Sequence, residues 1–220
     1  MTDLGRLSRV SLPGRGRGGS VKSIKRQWFY LREDFAASYA GRPLVPSVLS
    51  AATQASFLAV AAYRLSRGLV ETPLWPLAHL VKLANRIAFS VEIAPSAEIG
   101  QGFVLGHGLG VVIGGRSRIG DHCFVAQGVT IGGNFGKLRE VDEKCTSQPT
   151  IGAESWVLAG AVVAGPVRLG QGVVVGANAV VTRDLEEWTV YGGVPARPLR
   201  ENDIRRAPVA RASGGTLSSD

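Results

Sequence analysis

Residues 151–181 read IGAESW-VLAGAV-VAGPVR-LGQGVV-VGANAV-V, and the aliphatic residue opening each group of six never loses step. Ile151, Val157, Val163, Leu169, Val175 and Val181 thus occupy one position of a six-residue repeat. Upstream the same step is kept by Ile93, Ile99 and Leu105, slips by two residues, and continues through Ile113, Ile119, Val125 and Ile131. Gly100, Gly114, Gly120, Gly132, Gly152, Gly170 and Gly176 follow directly, and Ser117, Cys123, Ser155, Ala161 and Ala179 stand two residues before. A helix repeats every 3.6 residues and a strand every two, so neither holds a step of six over this length. Three such units close one triangular coil: the aliphatic residue points into the prism, the small residue fits the crowded corner, and glycine relieves the turn. Stacked coils bury one continuous core. The thirteen in-step positions predict four to five coils of a left-handed parallel β-helix over residues 91–200.

The repeat breaks twice. The first break is Gly106-His107-Gly108-Leu109-Gly110, and the second is the polar stretch 133–149, which cannot fit a prism wall and must loop out. Loops extruded from a rigid solenoid are where binding sites form.

Outward from the repeat the pattern changes. From Ser23 to Ser90 the period is helical, with Trp28, Leu31 and Phe35, then Leu77, Leu80, Leu83 and Ile87, at helical spacing. The fold class is therefore α+β: a helical region over 23–90, the β-helix with its extruded loop, and a C-terminal tail over 201–220. His79 among Leu77, Leu80 and Val81 reads as a packed side chain. Residues 1–22 read as a basic, disordered tail, marked by Gly14-Arg15-Gly16-Arg17-Gly18-Gly19. The first 26 residues hold seven Arg and Lys against Asp3, so most of the chain's net charge of +8 sits there and nucleic acid is not an expected partner. Pro43–Tyr63 carries no charge and is long enough to cross a bilayer, but Pro46, Ser47, Ser50, Thr53, Gln54 and Ser56 make membrane association unlikely to be its role. No apolar leader precedes it, and Cys123 and Cys145 supply no disulfide framework, so a cytoplasmic protein is expected.

His107 is the leading catalytic candidate. It lies between glycines at a break in the repeat, and a neutral imidazole suits removal of a hydroxyl proton near pH 7. A catalytic histidine needs an orienting acceptor. Glu92 stands fifteen residues earlier, a little less than one coil, and adjacent coils lie about 4.8 Å apart. His122 reads as a surface residue at a corner. Three histidines this far apart, without an acidic or cysteine cluster, predict no metal site.

The order of these features resembles the serine O-acetyltransferase family of hexapeptide-repeat acyltransferases. The resemblance rests on the helical N-terminal part, the repeat, His107 in Gly-His-Gly-Leu-Gly-Val-Val-Ile-Gly, Gln127-Gly-Val-Thr-Ile-Gly-Gly133 and Gly193-Val-Pro-Ala-Arg197, and covers residues 30–200. It implies an O-acetyltransferase with acetyl-CoA as co-substrate and no metal, assembled as a homotrimer or a dimer of trimers, with acetyl-CoA between neighbouring prisms. It implies that His107 is the general base and that Glu92 stands at the Asp of the family's His–Asp dyad. It also implies that Gly133, Ala159 and Gly160 line the pantetheine and that Arg197 meets the CoA phosphates.

Three positions depart from the family pattern. Gly106 replaces an Asp before the catalytic histidine, Ser147-Gln148-Pro149 replaces Arg-His-Pro in the loop, and Gly41-Arg42 replaces an Asp-Pro in the helical region. The lost groups are those the family uses to grip the amino and carboxylate ends of serine. Gln148, Ser147 and Gly106 are thus expected to face a neutral acceptor: a saccharide hydroxyl in surface-polysaccharide biosynthesis is expected first. Serine, as in cysteine biosynthesis, is the alternative, and an inactive β-helix scaffold is a third.

Overall fold

Each six-residue unit forms a two- or three-residue strand in which the repeat aliphatic turns inward, and all thirteen of these aliphatics are buried. The computed structural model describes residues 20–39, 48, 50, 51, 54–134, 136–141 and 144–203. The tail before Ser20, the tail beyond Asp203, Gly41-Arg42 and part of the uncharged 43–63 run lie outside the described residues.

The strands stack in three parallel walls. The first wall runs Glu92–Ile93, Val112–Ile113, Thr130–Gly132, Val162–Ala164 and Val180–Val181. The second runs Glu98–Ile99, Arg118–Ile119, Thr150–Ile151 and Arg168–Leu169. The third runs Val104–Leu105, Phe124–Val125, Trp156–Val157, Val174–Val175 and Thr189–Gly192, closed by antiparallel Arg197–Glu201. Together they form a left-handed parallel β-helix. Regular coils advance eighteen residues, as Ile113 over Ile131 and Val157 over Val175 show. The advance is twenty across His107, where Ile93 pairs with Ile113. It is thirty-two across the extruded loop, where Ile119 pairs with Ile151. Both breaks in the repeat are thus absorbed at corners, and the register of the core survives them. Each buried aliphatic contributes about 1.5–3 kcal/mol.

The outward columns differ between walls. The second wall shows Glu98, Arg118, Thr150 and Arg168. The first shows Glu92 at its top and then Val112, Thr130, Val162 and Val180, and the third shows Val104, Phe124, Trp156 and Val174. The two apolar walls meet at the corner that carries His107.

Helices α1 (Ser20–Ser38), α2 (Ala55–Val70) and α3 (Trp75–Phe89) cover the top of the prism. No helix among the described residues is long and apolar enough to cross a membrane. The first coil has no coil above it, so its upward backbone groups need partners from elsewhere. The helices supply them. Arg64 donates to the carbonyls of Ile99 and Gly100 at 2.7 and 2.5 Å, and Tyr63 Oη donates to Ala97 O at 2.9 Å. Asp34 Oδ1 accepts the Phe103 N–H at 2.8 Å and, with Oδ2, binds the Arg64 guanidinium at 3.1 and 2.8 Å. Burial holds the Asp34 carboxyl above its ordinary range although the Arg64 guanidinium opposes the shift, and it pushes the Tyr63 hydroxyl up to about 12.

The apolar residues at helical spacing are not the ones most buried. On α1 the buried positions include Ser23, Gln27 and Asp34, while Trp28 is 67% exposed. On α3 Ala78 and Asn85 are buried, and Leu77, Leu80, Leu83 and Ile87 face outward, Ile87 at 76% exposure. His79 is exposed rather than packed in, with its ring edge-on to Trp75 at 5.9 Å. The helices meet a polar backbone edge, and polar side chains therefore face inward.

Candidate active site

His107 sits at the corner between the third wall's Val104–Leu105 and the first wall's Val112–Ile113. Its backbone is left-handed at φ 49°, and its side chain is exposed. Its turn is held from both sides: Gly106 N–H donates to Val125 O at 2.9 Å, and Gly110 N–H donates to Ser90 O at 2.9 Å. Ser56 Oγ of α2 accepts the Gly108 N–H at 3.0 Å. The imidazole makes no hydrogen bond among the described residues, so it is open to a ligand proton.

The Glu92 carboxylate does not bond this imidazole. It is held by Lys82 Nζ at 2.7 Å and Arg86 Nη1 at 3.2 Å, both from α3. The Lys82 hydrogen bond keeps the carboxyl below its usual range. Glu92 nevertheless lies next to the turn, because Val91 Cγ2 would stand 3.4 Å from a Cβ built on Gly108. Two cations share one carboxylate here, which leaves net positive charge beside His107.

Below His107 the left-handed position of the corner is mostly glycine, beside the exposed side chains of Leu109 and Gln127. Gly110, Gly128, Gly160 and Asn178 stack down it, all left-handed, at φ 70°, 68°, 69° and 56°. Their N–H groups tie each coil to the one above: Gly128 to Leu109 O at 2.8 Å, Gly160 to Gln127 O at 2.9 Å, and Asn178 to Ala159 O at 2.8 Å. The backbone alone does not demand glycine, since the next corner uses His122, Glu154 and Trp188 at φ 55°, 58° and 52°. Crowding does not demand it at Gly110 or Gly128, where a Cβ would make ordinary contacts of 3.7 and 3.6 Å, whereas at Gly160 it would lie 2.2 Å from Asn178 Oδ1. A bare strip from His107 past Ala159 and Gly160 suits close approach of an extended chain to backbone. At about 4.8 Å per coil, four steps from His107 to Gly193 span about 19 Å. Gly193 O accepts the Val180 N–H at 3.1 Å, and the Gly193–Arg197 turn therefore closes the foot of this corner, with Arg197 exposed.

Gly133, Ser147 and Gln148 gather at the other end of the first wall. Gln148 Oε1 accepts from Ser117 Oγ at 3.3 Å, and its Nε2 donates to Ser147 Oγ at 3.4 Å. A Cβ on Gly114 or Gly133 would fall 2.7 or 2.8 Å from that amide, so these glycines make room for it. One protomer thus brings His107, Ala159, Gly160 and Arg197 onto one corner and Gly133, Ser147 and Gln148 onto the next. The structure does not bring the two groups together. Gly106 has a steric cause: a Cβ there would lie 2.4 Å from the Phe124 ring, which packs on Trp156 at 5.3 Å between centroids. The cavities of about 370 Å³ against Trp28 and Phe57 and about 500 Å³ along the second wall lie away from His107. Among the described residues, His, Cys, Asp and Glu form no group able to hold a metal ion.

Sequence reading missed Ser56, Lys82, Arg86, Gly110, Gly128 and Phe124. Only the two glycines carried a readable signal: Gly128 is the third residue after Val125, and Gly110 closes the first break in the repeat.

Residues 148–183 match the bacterial transferase hexapeptide (six repeats) family model. Serine acetyltransferase of Bacillus pumilus (strain SAFR-032) is 35% identical over 173 residues, covering 78% of this chain and 77% of that one. That of Bacillus subtilis (strain 168) is 34% identical with the same coverage. The chain belongs to the serine acetyltransferase family. Among solved structures, a serine acetyltransferase in complex with CoA superposes with a TM-score of 0.70 at 28% identity, over 82% of this chain and 72% of that one. Serine acetyltransferase in complex with coenzyme A from Brucella abortus strain S19 gives 0.72 at 26% identity, over 83% and 71%. Membership makes the chain an acetyl-CoA-dependent O-acetyltransferase.

Proposed function

We propose that the chain acetylates the hydroxyl of L-serine from acetyl-CoA. The observation that carries this reading is the likeness to serine acetyltransferases over 78% of the chain. It replaces the saccharide first expected, since the relatives named above are serine acetyltransferases.

In this reading His107 removes the proton from the serine hydroxyl as its oxygen attacks the thioester carbonyl. The tetrahedral intermediate collapses with cleavage of the carbon–sulfur bond, and the imidazolium returns the proton to the leaving thiolate. No covalent enzyme intermediate is required. Glu92, near the His107 turn, is already paired with Lys82 and Arg86, so its part in this reading is to offset those two cations rather than to add negative charge for the imidazolium. The bare corner with Ala159, Gly160 and Gly133 receives the pantetheine, and Arg197 at its foot offers charge to phosphate. Lys82 and Arg86 offer the serine carboxylate a cation that Ser147 and Gln148 lack; Arg86 is 65% exposed.

The two groups of site residues lie on different corners, so the working site is read as shared between copies, His107 of one facing Gln148 of the next. The apolar first and third walls flank that corner and suit threefold packing. A monomer by light scattering at micromolar concentration would remove this part of the reading.

A second reading keeps the chemistry and changes the acceptor. Ser147 and Gln148 are uncharged, and Phe124 denies an acidic side chain to position 106, which favours a neutral hydroxyl compound. Thiol release from acetyl-CoA with L-serine, homoserine and a panel of sugars decides between them. A kcat/KM for L-serine of about 10⁴ M⁻¹s⁻¹ or above upholds the first reading. A saccharide turned over about tenfold better than serine gives the second.

A further inference from the structure

The extruded loop is fastened to the prism at a distance from its ends. Its hairpin pairs Arg139 with Thr146, Glu140 with Cys145 and Val141 with Lys144. Arg139 reaches out of the hairpin and sets both terminal nitrogens on both Asp184 oxygens, at 2.7 and 2.8 Å. It also donates to Pro166 O at 3.2 Å. Asp184 Oδ1 in turn accepts the Arg168 N–H at 2.9 Å, which fixes the carboxylate to the second wall. The Arg139 hydrogen bond holds the Asp184 carboxyl below its usual range, so the pair is charged near neutrality.

The other side of the hairpin leads to the acceptor residues. Thr146, cross-strand partner of Arg139, accepts the Gln148 N–H on its Oγ1 at 3.0 Å. Gln148 Oε1 is then met by Ser117 Oγ at 3.3 Å. Contacts therefore run unbroken from Asp184 through Arg139 and Thr146 to Gln148.

We propose that Arg139 and Asp184 are positioning residues for the acceptor: their fork sets the hairpin, and the hairpin sets Ser147 and Gln148. This rests on the reading of Gln148 as an acceptor contact. An exposed ion pair ordinarily contributes little. Here the geometry is bidentate, and the pair joins a loop to a rigid wall, so its loss frees the whole hairpin rather than two side chains.

The test compares Arg139→Ala, Asp184→Ala, the double variant and Asp184→Glu with the parent, in steady-state kinetics and in hydrogen exchange. Each single alanine variant is expected to raise the acceptor KM about five- to tenfold, with kcat and the acetyl-CoA KM within about twofold. The double variant should be no worse than either single, because both remove the same contact. Asp184→Glu, which can rebuild the fork, should recover most of the loss. Peptides covering 139–148 should exchange faster in Asp184→Ala while those covering 151–181 do not change. An unchanged acceptor KM, additive losses in the double variant, or unchanged exchange in the hairpin would each overturn the proposal. A parent that acetylates neither serine nor a sugar would instead defeat the proposed function, and hairpin exchange alone would then decide for or against the fork.

Discussion

The prism buries aliphatic side chains, whereas its cap buries a polar cluster alongside Ala59 and Val60. Inside the prism sit Ile93, Ile131, Val163 and their fellows, one aliphatic per six residues. Between the cap and the first coil sit Asp34, Arg64, Gln27 and Tyr63. The cause is what each surface faces. A coil in the middle of the stack satisfies its backbone with the coils above and below, so its side chains have only the hydrophobic core to fill. The first coil has an open edge, and the carbonyls of Ala97, Ile99 and Gly100 and the N–H of Phe103 take their partners from the helices.

The two regions meet at His107, whose turn is tied to Ser56 in the cap and to Val125 in the prism. His107→Ala removes the proposed base without touching either region's packing. We expect kcat to fall by about 10²–10⁴-fold, while acetyl-CoA affinity and melting temperature stay near the parent's. Turnover equal to the parent's would take His107 out of the mechanism.

The next largest effect should come from the cap. Asp34→Ala leaves the Arg64 guanidinium buried without its carboxylate and the Phe103 N–H without its acceptor. Breaking a buried pair in this way costs about 3–5 kcal/mol. Ile131→Ala, in the middle of the prism, should cost about 2–5 kcal/mol by leaving a cavity. Urea unfolding of the two variants compares them directly. A loss below about 1 kcal/mol for Asp34→Ala would mean that the polar cap is incidental to holding the edge.

That comparison also marks what the sequence made legible. Side-chain burial repeats, so all thirteen prism positions, the two breaks and the exposed His122 corner could be read from spacing. Satisfaction of a backbone edge does not repeat. Nothing in the spacing of Asp34 and Arg64, thirty residues apart, announces that they meet over the first coil. The helical spacing of Trp28, Leu80 and Ile87 shows that an apolar face exists, not what it meets. At the site, His107 stood out through its glycines. The Glu92 spacing carried no information about Lys82 and Arg86, which arrive from a helix and take its carboxylate.

The smallest effect separates two corners of the same prism. Both hold left-handed residues in every coil: one has Gly110, Gly128, Gly160 and Asn178, the other Gly102, His122, Glu154, Gly172 and Trp188. A Cβ at Gly102, Gly172 or Gly160 would strike the side chain of the next coil at 2.3, 2.4 or 2.2 Å, so crowding accounts for glycine there but not at Gly110 or Gly128. Gly128→Ala tests the alternative, that the bare corner is kept for the pantetheine. A left-handed alanine costs about 1 kcal/mol of stability, and its methyl group would meet its neighbours at an ordinary 3.6 Å. The fold should therefore survive with little change in melting temperature. A methyl projecting into the strip would displace a ligand lying on it, and we expect the acetyl-CoA KM to rise about tenfold. His122→Gly, the reverse change at the other corner, should leave that KM within about twofold. Equal acetyl-CoA KM values for the parent and Gly128→Ala would mean that CoA lies elsewhere, and the case for Ala159 and Gly160 as its contacts would fall with the strip.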